Sequence, residues 1–318
     1  MRVGQNPAKF VKDVKKPERI TVAVLTYVPF LSGYYAEMLD VIKICLGSLI
    51  DNSDLPHDLM VFDNGSCREM QDYLRELKEQ GHIQYLLLSD KNLGKGGAWN
   101  ILLAGAPGEI IAYTDSDAYF YPGWLSRSVE LLETYPRVGM VTARPFRQNE
   151  AGNSKTLSWA EKTKGVKVEK GEFIGWDDFW SFVRSLGNSE EQAREWFYSS
   201  QDTRLTYKGV SAIVGASHWQ FTAWKKTVQE FLPFDMSRPM GQVRQLDERM
   251  NSAGYLRLMP TEMLAQNMSN RVPDEYRKNI EKLTGKTSPR KRARWLDMPF
   301  IKHRLLAIYD HIFRWYYE

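Results

Sequence analysis

Two cysteines, Cys45 and Cys67, are all that a chain of 318 residues carries. Their spacing suits neither a metal cluster nor a redox pair, which excludes a disulfide scaffold and makes a reducing cytosol the simplest setting. Long hydrophobic runs are also missing. No stretch approaches the roughly 20 uninterrupted apolar residues of a spanning helix. Residues 1–18 are Lys-rich and hold no apolar segment long enough for a signal peptide, so a protein that is soluble or lies on a membrane is expected. Charge of one sign is scarce too: 43 Lys and Arg against 39 Asp and Glu leave a net charge of +4. That is too little to indicate a nucleic-acid partner. The basic excess gathers at the two ends, and no internal repeat is found. With 43% hydrophobic and 13% aromatic residues, the chain can bury one large core or two moderate ones.

The first half alternates strand and helix patterns. Residues 20–27 (ITVAVLTY) read as a β-branched strand, and 34–49 place Leu39, Ile42, Leu46 and Leu49 at helical spacing. Strands follow at 58–63 and 83–88, with a charged amphipathic helix at 68–79 between them. A glycine-rich loop at 92–97 leads into a helix containing Trp99, Asn100 and Leu103. A strand at 110–115, a helix at 123–134 and a strand at 138–142 complete the pattern. Strands separated by helices of this length predict a parallel α/β sheet with right-handed crossovers.

Residues 110–117 (IIAYTDSD) are an apolar run that stops on two carboxylates, Asp115 and Asp117. Ligands of open α/β sheets bind at the carboxyl ends of the strands. Like charges so close beside a low-dielectric sheet are costly unless a cation shares them. A hard divalent ion, Mg²⁺ or Mn²⁺, fits, because it takes a few carboxylate oxygens and completes its shell with phosphate. Three more strand ends fall on the same edge: Thr26-Tyr27, Asp63, and the loop 91–97. Asp63, followed by an Asn64-Gly65 turn, could accept from a base or ribose donor. Gly94, Gly96 and Gly97 would let backbone approach a phosphate or sugar. The loop has neither the G-x-G-x-x-G nor the G-x-x-x-x-G-K-[ST] spacing, which excludes the dinucleotide and P-loop readings.

Four ordered pieces, Thr26-Tyr27, Asp63-Asn64-Gly65-Ser66, the segment 91–100 (KNLGKGGAWN) and Asp115-Ser116-Asp117, resemble the glycosyltransferase family 2 domain over roughly residues 19–145. The resemblance implies a GT-A fold, a Rossmann-like, mostly parallel sheet flanked by helices, and a nucleotide-sugar donor. By the same resemblance Thr26, Tyr27 and Asp63 would hold nucleobase and ribose. Asn92, Gly97 and Asn100 would line the nucleotide pocket, and Asp115 would sit by ribose and metal. Asp117 would be the direct ligand of an ion bridging the diphosphate, in a Lewis-acid role.

The second half is less regular. Residues 151–170 are polar and Gly- and Lys-rich and read as a mobile loop. Residues 177–186 and 189–197 read as two short amphipathic helices, the second opening at Ser189. Trp176, Trp180 and Trp196 suit helix-on-sheet packing, with sugar stacking as the alternative. Residues 205–216 read as one strand leading to His218-Trp219, a candidate contact to acceptor or metal. On a helix carrying Val243, Leu246 and Met250 and ended by Gly254 lie Asp247 and Glu248. Moving a sugar onto a hydroxyl needs a group to take its proton. The resembled family places an acidic pair before a Gly-Tyr for this purpose, which makes Asp247 the first choice and Glu248 the second. Two departures stand out. The acids lie unusually near Gly254-Tyr255, and Ala265-Gln266-Asn267-Met268 stands where many relatives have a metal-binding His, so that His218 is a possible substitute.

The expected organisation is a basic extension (1–18), a nucleotide-sugar half (19–145), an acceptor and base half (146–280, with a helical insertion at about 151–203), and a basic linker with an amphipathic helix (281–318). The expected function is metal-dependent, inverting transfer of a sugar from a nucleoside-diphosphate sugar to a glycan or lipid-linked acceptor. A haloacid-dehalogenase-type phosphohydrolase is the rival. That motif wants Thr or Val two residues after its second Asp, where this chain has Tyr119. A non-catalytic carbohydrate-binding relative is the third class. A second copy of the chain remains a candidate partner. The tail at 299–317 places Ile301, Leu305, Ile308 and Ile312 on one stripe beside basic residues, which suits contact with the inner face of a membrane, with docking on the protein's own core as the alternative. Each basic residue near an anionic surface adds about 1 kcal/mol of attraction. Reversing Arg290, Lys291, Arg292 and Arg294 to Glu should therefore release the protein from anionic vesicles in a sedimentation assay. Raising the salt should release the unaltered chain likewise.

Overall fold

The computed structural model describes residues 5–236 and 243–276, with Arg304, Ile308 and His311 beyond them. Its first half follows the alternation of the sequence. Strand β1 (Ile20–Thr26) is buried almost throughout, as expected of a strand covered on both faces. It is followed by α1 (Met38–Asn52), β2 (His57–Asn64), α2 (Arg68–Glu79), β3 (Tyr85–Ser89), α3 (Gly94–Gly105) and β4 (Ile110–Asp115). Strands β1 to β4 pair in parallel, with Thr26 opposite Asp63 and Leu25 opposite Asp115. The strand ends that the sequence set on one edge are thus neighbours.

Next along the chain are β5 (Ala118–Phe120), α4 (Trp124–Thr134), β6 (Val138–Val141), α5 (Ser154–Lys162), β7 (Lys167–Gly171), α6 (Trp176–Ser185), α7 (Glu190–Ser199), β8 (Asp202–Tyr207), β9 (Val210–Val214) and β10 (Gln220–Trp224). The last are α8 (Lys225–Gln229), α9 (Arg244–Ser252), β11 (Leu256–Met259) and β12 (Ala265–Asn267). Among the described residues the main sheet has ten strands in the order β3-β2-β1-β4-β10-β6-β11-β9-β8-β7, and β12 pairs separately with β5. Strand β10 enters antiparallel between β4 and β6. The sheet is therefore parallel through the first half and mixed beyond it.

Two expectations are corrected in the second half. The stretch 151–170 is not a loop: it holds α5 and β7. Its polarity misleads because it covers a sheet edge. Thr156 and Ala160, one turn apart, are buried, as is Asn153, residues 157–159 are half-buried, and most of the other side chains face water. The single strand expected at 205–216 is a hairpin. Lys208 (φ 50°) and Gly209 (φ 81°) both take left-handed backbone, the geometry of a two-residue hairpin turn. The paired helices are present as expected, and Ser189 caps α7 in a reciprocal capping box with Gln192.

Two apolar clusters stand out among the described residues. The first surrounds Trp99, whose ring lies 5.0 Å from Tyr113, 5.2 Å from Phe234 and 5.9 Å from Phe221, edge-on to each. The second packs Phe179, Phe182, Val183 and Phe197 of the helical insertion against Phe146, Ile213 and Met259. Trp176 and Trp180 pack on this cluster, with their rings parallel at 6.0 Å, so they serve the core as expected. The chain divides after Arg277 into two units, Met1–Arg277 and Lys278–Glu318. The basic linker and, apart from the exposed Ile308, the amphipathic stripe expected for the tail lie outside the described residues.

A buried ion pair pins the insertion to the sheet. Arg147 donates to Asp202 through Nε (2.9 Å) and Nη2 (3.1 Å), with both side chains 1% exposed. Asp202 also accepts the backbone N–H groups of Phe173 and Ile174, each at 3.0 Å. Arg147→Ala would leave a buried carboxylate without its cation, at a cost of about 3–5 kcal/mol. Urea unfolding should show this loss.

Candidate active site at the carboxyl ends of the central strands

The first wall of the site is made by β1 and β2. Asp63 is wholly buried. It accepts from Thr26 Oγ1 at 3.0 Å and from the Ser66 N–H and Gln71 Nε2, both at 3.1 Å. Its visible role is to tie the two strand ends together. Tyr27, half-buried, meets Tyr35 edge-on at 6.1 Å. Gly65 turns with φ 86° beneath the backbone of Lys91 and Asn92, where any Cβ would come within 3.1 Å. Asn64, passed over as a mere turn residue, is a hub. Its Oδ1 accepts from the Leu93 N–H at 2.9 Å, and its Nδ2 donates to Asn92 Oδ1 at 3.0 Å. Asn92 in turn accepts from the Gly94 N–H at 2.8 Å and so shapes the entry to α3.

The glycine loop has a different role from the one its composition suggests. Gly96 and Gly97 are buried, and a Cβ on Gly97 would meet Leu93 Cβ at 3.0 Å and Met236 Cε at 2.7 Å. Asn100 is a two-point clamp on Phe234: it donates to the carbonyl at 2.9 Å and accepts from the N–H at 2.6 Å. In this structure Gly97 and Asn100 therefore bring the segment 234–236 against α3.

Lys95, to which the sequence reading assigned no role, carries the most telling side chain of the loop. It is 9% exposed and donates to Asp115 Oδ2 at 2.6 Å. Tyr113 OH donates to Asp115 Oδ1 at 2.5 Å. Burial and the charge of Asp115 push the Tyr113 hydroxyl well above its usual range, which keeps it a donor. Asp117 is treated differently. Asn267 hydrogen-bonds to its side chain, and the Met268 N–H donates to its carbonyl at 2.7 Å. Its Oδ1, however, is shut off from solvent and has no protein partner. Burial first, and the nearby charge of Asp115 second, push its carboxyl up to about 7 against the relief from Lys95.

These residues fit a divalent ion. The donors are hard oxygens, and a buried anionic oxygen without a partner is what a cation would satisfy. No group of three or more His, Cys, Asp or Glu gathers among the described residues. Protein ligands would be few, and a diphosphate would have to complete the shell.

The second wall comes from β10, α9 and β11. The Asp115 N–H donates to the Trp219 carbonyl at 2.8 Å, so the 217–219 turn lies directly beside the paired carboxylates. His218 Nδ1 is 2.6 Å from Asp247 Oδ2, and Arg257 Nη2 is 3.2 Å from Asp247 Oδ1. Arg257, which the sequence offered no means of finding, is 5% exposed and also donates to the carbonyls of Gly152 and Ala216. Burial pulls its guanidinium down, and Asp247 holds it up. Glu248 lies on the exposed face of α9. His218 thus meets Asp247 through Nδ1. Trp219 packs on Phe182 at 6.1 Å, with its indole N–H buried and unpartnered.

The raised Asp117 has a signed consequence. A carboxyl held above its unfolded value of 3.8 adds stability below that value and loses it as pH rises through about 7. With metal chelated, Asp117→Asn should melt higher than the unaltered protein at pH 8, and the difference should be smaller at pH 5, vanishing only below 3.8. Thermal melts at the two pH values check it.

Comparison with known proteins agrees with this geometry. The sequence profile described as Glycosyl transferase family 2 matches residues 33–203, more than half of the chain. An uncharacterized glycosyltransferase of Nostoc sp. is 28% identical over 144 residues, which is 45% of this chain; the chain spans only 41% of that relative's length. Among solved structures, the Pyrobaculum calidifontis mannosyltransferase PcManGT in complex with GDP-Man and Mn²⁺ is similar at 18% identity and TM-score 0.48, over 82% of this chain and 58% of that one. Residues 1–349 of S. aureus TarS are similar at 13% identity and TM-score 0.45, over 78% and 59% of the two chains. The chain belongs to glycosyl transferase family 2.

Proposed function

We propose that the protein transfers a sugar from a nucleoside-diphosphate donor to a hydroxyl of a glycan or lipid-linked acceptor, in one displacement that inverts the anomeric carbon. The observation that carries this reading is Asp117 Oδ1, buried and without a protein partner, one residue beyond the Lys95-bound Asp115. Asp117 is the proposed direct ligand of Mn²⁺ or Mg²⁺, with Asp115 beside it. A bound ion there would neutralise charge on the departing diphosphate. Lys95 holds Asp115 at the strand end and keeps a fixed positive charge next to the donor's phosphates. Thr26, Tyr27 and Asp63 make the proposed nucleobase and ribose wall, closed by the Asn64–Asn92 hydrogen bond. The Asp247–His218 pair forms the proposed acceptor side. Family membership sets the phosphohydrolase alternative aside, and a non-catalytic relative would bind donor without turning it over. The proposed setting is the cytoplasmic face of a membrane, reached through the basic tail.

Titration calorimetry with UDP, GDP and dTDP, each with and without Mn²⁺, tests the donor site. At least one nucleotide should bind, and Mn²⁺ should tighten it. Asp117→Ala should erase the metal-dependent gain, about 10²-fold on the scale of a lost carboxylate–metal contact. Unchanged affinity and metal dependence in that variant would sink the assignment.

A further inference from the structure

We infer that the proton acceptor of the reaction is His218, and that Asp247 is a positioning residue which acts through it. This rests on the donor-site reading above and goes beyond it by naming the group that touches the acceptor hydroxyl. Asp247, the carboxylate expected to take the proton, is 14% exposed and committed on both sides. One oxygen faces His218 Nδ1 at 2.6 Å, the other the buried Arg257 at 3.2 Å. Asp247 Oδ1 is shut off from solvent, and Oδ2 faces the imidazole, so neither oxygen is open to an acceptor hydroxyl. With Asp247 accepting from the imidazole, Nδ1 carries the ring proton. The lone pair is then on Nε2, at the far edge of a ring that is 24% exposed. Nε2 has no hydrogen-bond partner among the described residues. The backbone brings His218 beside the strand that carries the donor site, since the next residue, Trp219, accepts the Asp115 N–H through its carbonyl.

The step balances. His218 Nε2 takes the hydroxyl proton as the acceptor oxygen bonds to the anomeric carbon. The bond from that carbon to the diphosphate oxygen breaks, and its electron pair leaves with the nucleoside diphosphate. The imidazolium formed is stabilised by the carboxylate of Asp247, which lies between it and Arg257. Solvent takes the proton back through the exposed edge of the ring.

Two measurements on the full-length protein test this. Long-range proton–nitrogen correlation spectra of protein labelled with [¹⁵N]histidine report the tautomer of each of the five histidines, and the His218→Gln spectrum assigns the signal. His218 should show protonated Nδ1 and bare Nε2, and Asp247→Asn should shift it to the commoner Nε2-protonated form. A His218 protonated at Nε2 in the unaltered protein, or one that ignores Asp247→Asn, overturns the proposal. The second measurement is release of nucleoside diphosphate from a panel of UDP-, GDP- and dTDP-sugars, with water as acceptor. His218→Gln and Asp247→Asn should each lower kcat by about 10²-fold or more while the KM for donor and the affinity for the nucleotide stay within about twofold. Full turnover in His218→Gln overturns the proposal. Failure of the unaltered protein to bind any nucleoside diphosphate overturns the donor reading and the proposal with it. That outcome appears in the binding arm alone, so the two failures are told apart.

Discussion

Two carboxylates one residue apart, at the end of a strand buried on both faces, set the terms for the rest of this structure. Unshared charge in so low a dielectric costs several kcal/mol per ion. The chain meets that cost for Asp115 with Lys95 and Tyr113, and leaves one oxygen of Asp117 unmet. Much of the first core follows from this. Lys95 reaches Asp115 from the first turn of α3, which lies close under the 234–236 segment where Gly96 and Gly97 leave room. Trp99, one turn further on, fills the space under Tyr113, and its ring faces the Lys95 ammonium at 5.5 Å. An apolar core and a polar site are here two sides of one helix.

Buried guanidinium groups do for the second half what long parallel strands do for the first. Its strands are short and its connections long, so apolar burial alone leaves many backbone carbonyls to satisfy. Arg144 donates to the Asp178 carbonyl at 2.7 Å and to the Ala265 carbonyl at 3.1 Å, and so joins α6 to β12, the strand that carries Asn267 to Asp117. Arg147 fixes the end of α7 to β8 through Asp202. Arg257 links the 215–217 turn to α9 through Asp247. Planar forks with five donors suit such many-carbonyl junctions better than lysine would. The same scaffold that holds the insertion in place thereby orients the acceptor side of the site.

Local pattern was enough wherever a residue's role depends on neighbours in sequence. Strands β1, β2 and β4, the helices between them, the Ser189 cap and the amphipathic α9 all follow from periodicity and capping chemistry. Trp176 and Trp180 of the insertion pack on the core, as an aromatic surplus beside short helices suggests, while Trp196 stays exposed. The pattern misled at a sheet edge, where α5 and β7 are polar because water covers most of them. It misled again at Lys208-Gly209, where two left-handed residues turn one apparent strand into a hairpin.

The sequence by itself determined the α/β order, the strand that ends in Asp115 and Asp117, and the family, because each rests on short-range spacing that the chain cannot rearrange. Only the tertiary structure decided how those charges are met. Lys95 and Asp115 are 20 positions apart, His218 and Asp247 are 29, and Asn100 and Phe234 are 134. Which donor meets which acceptor across such distances depends on strand order and helix packing. The same physics that hides a carboxylate from water also demands that some distant side chain answer it.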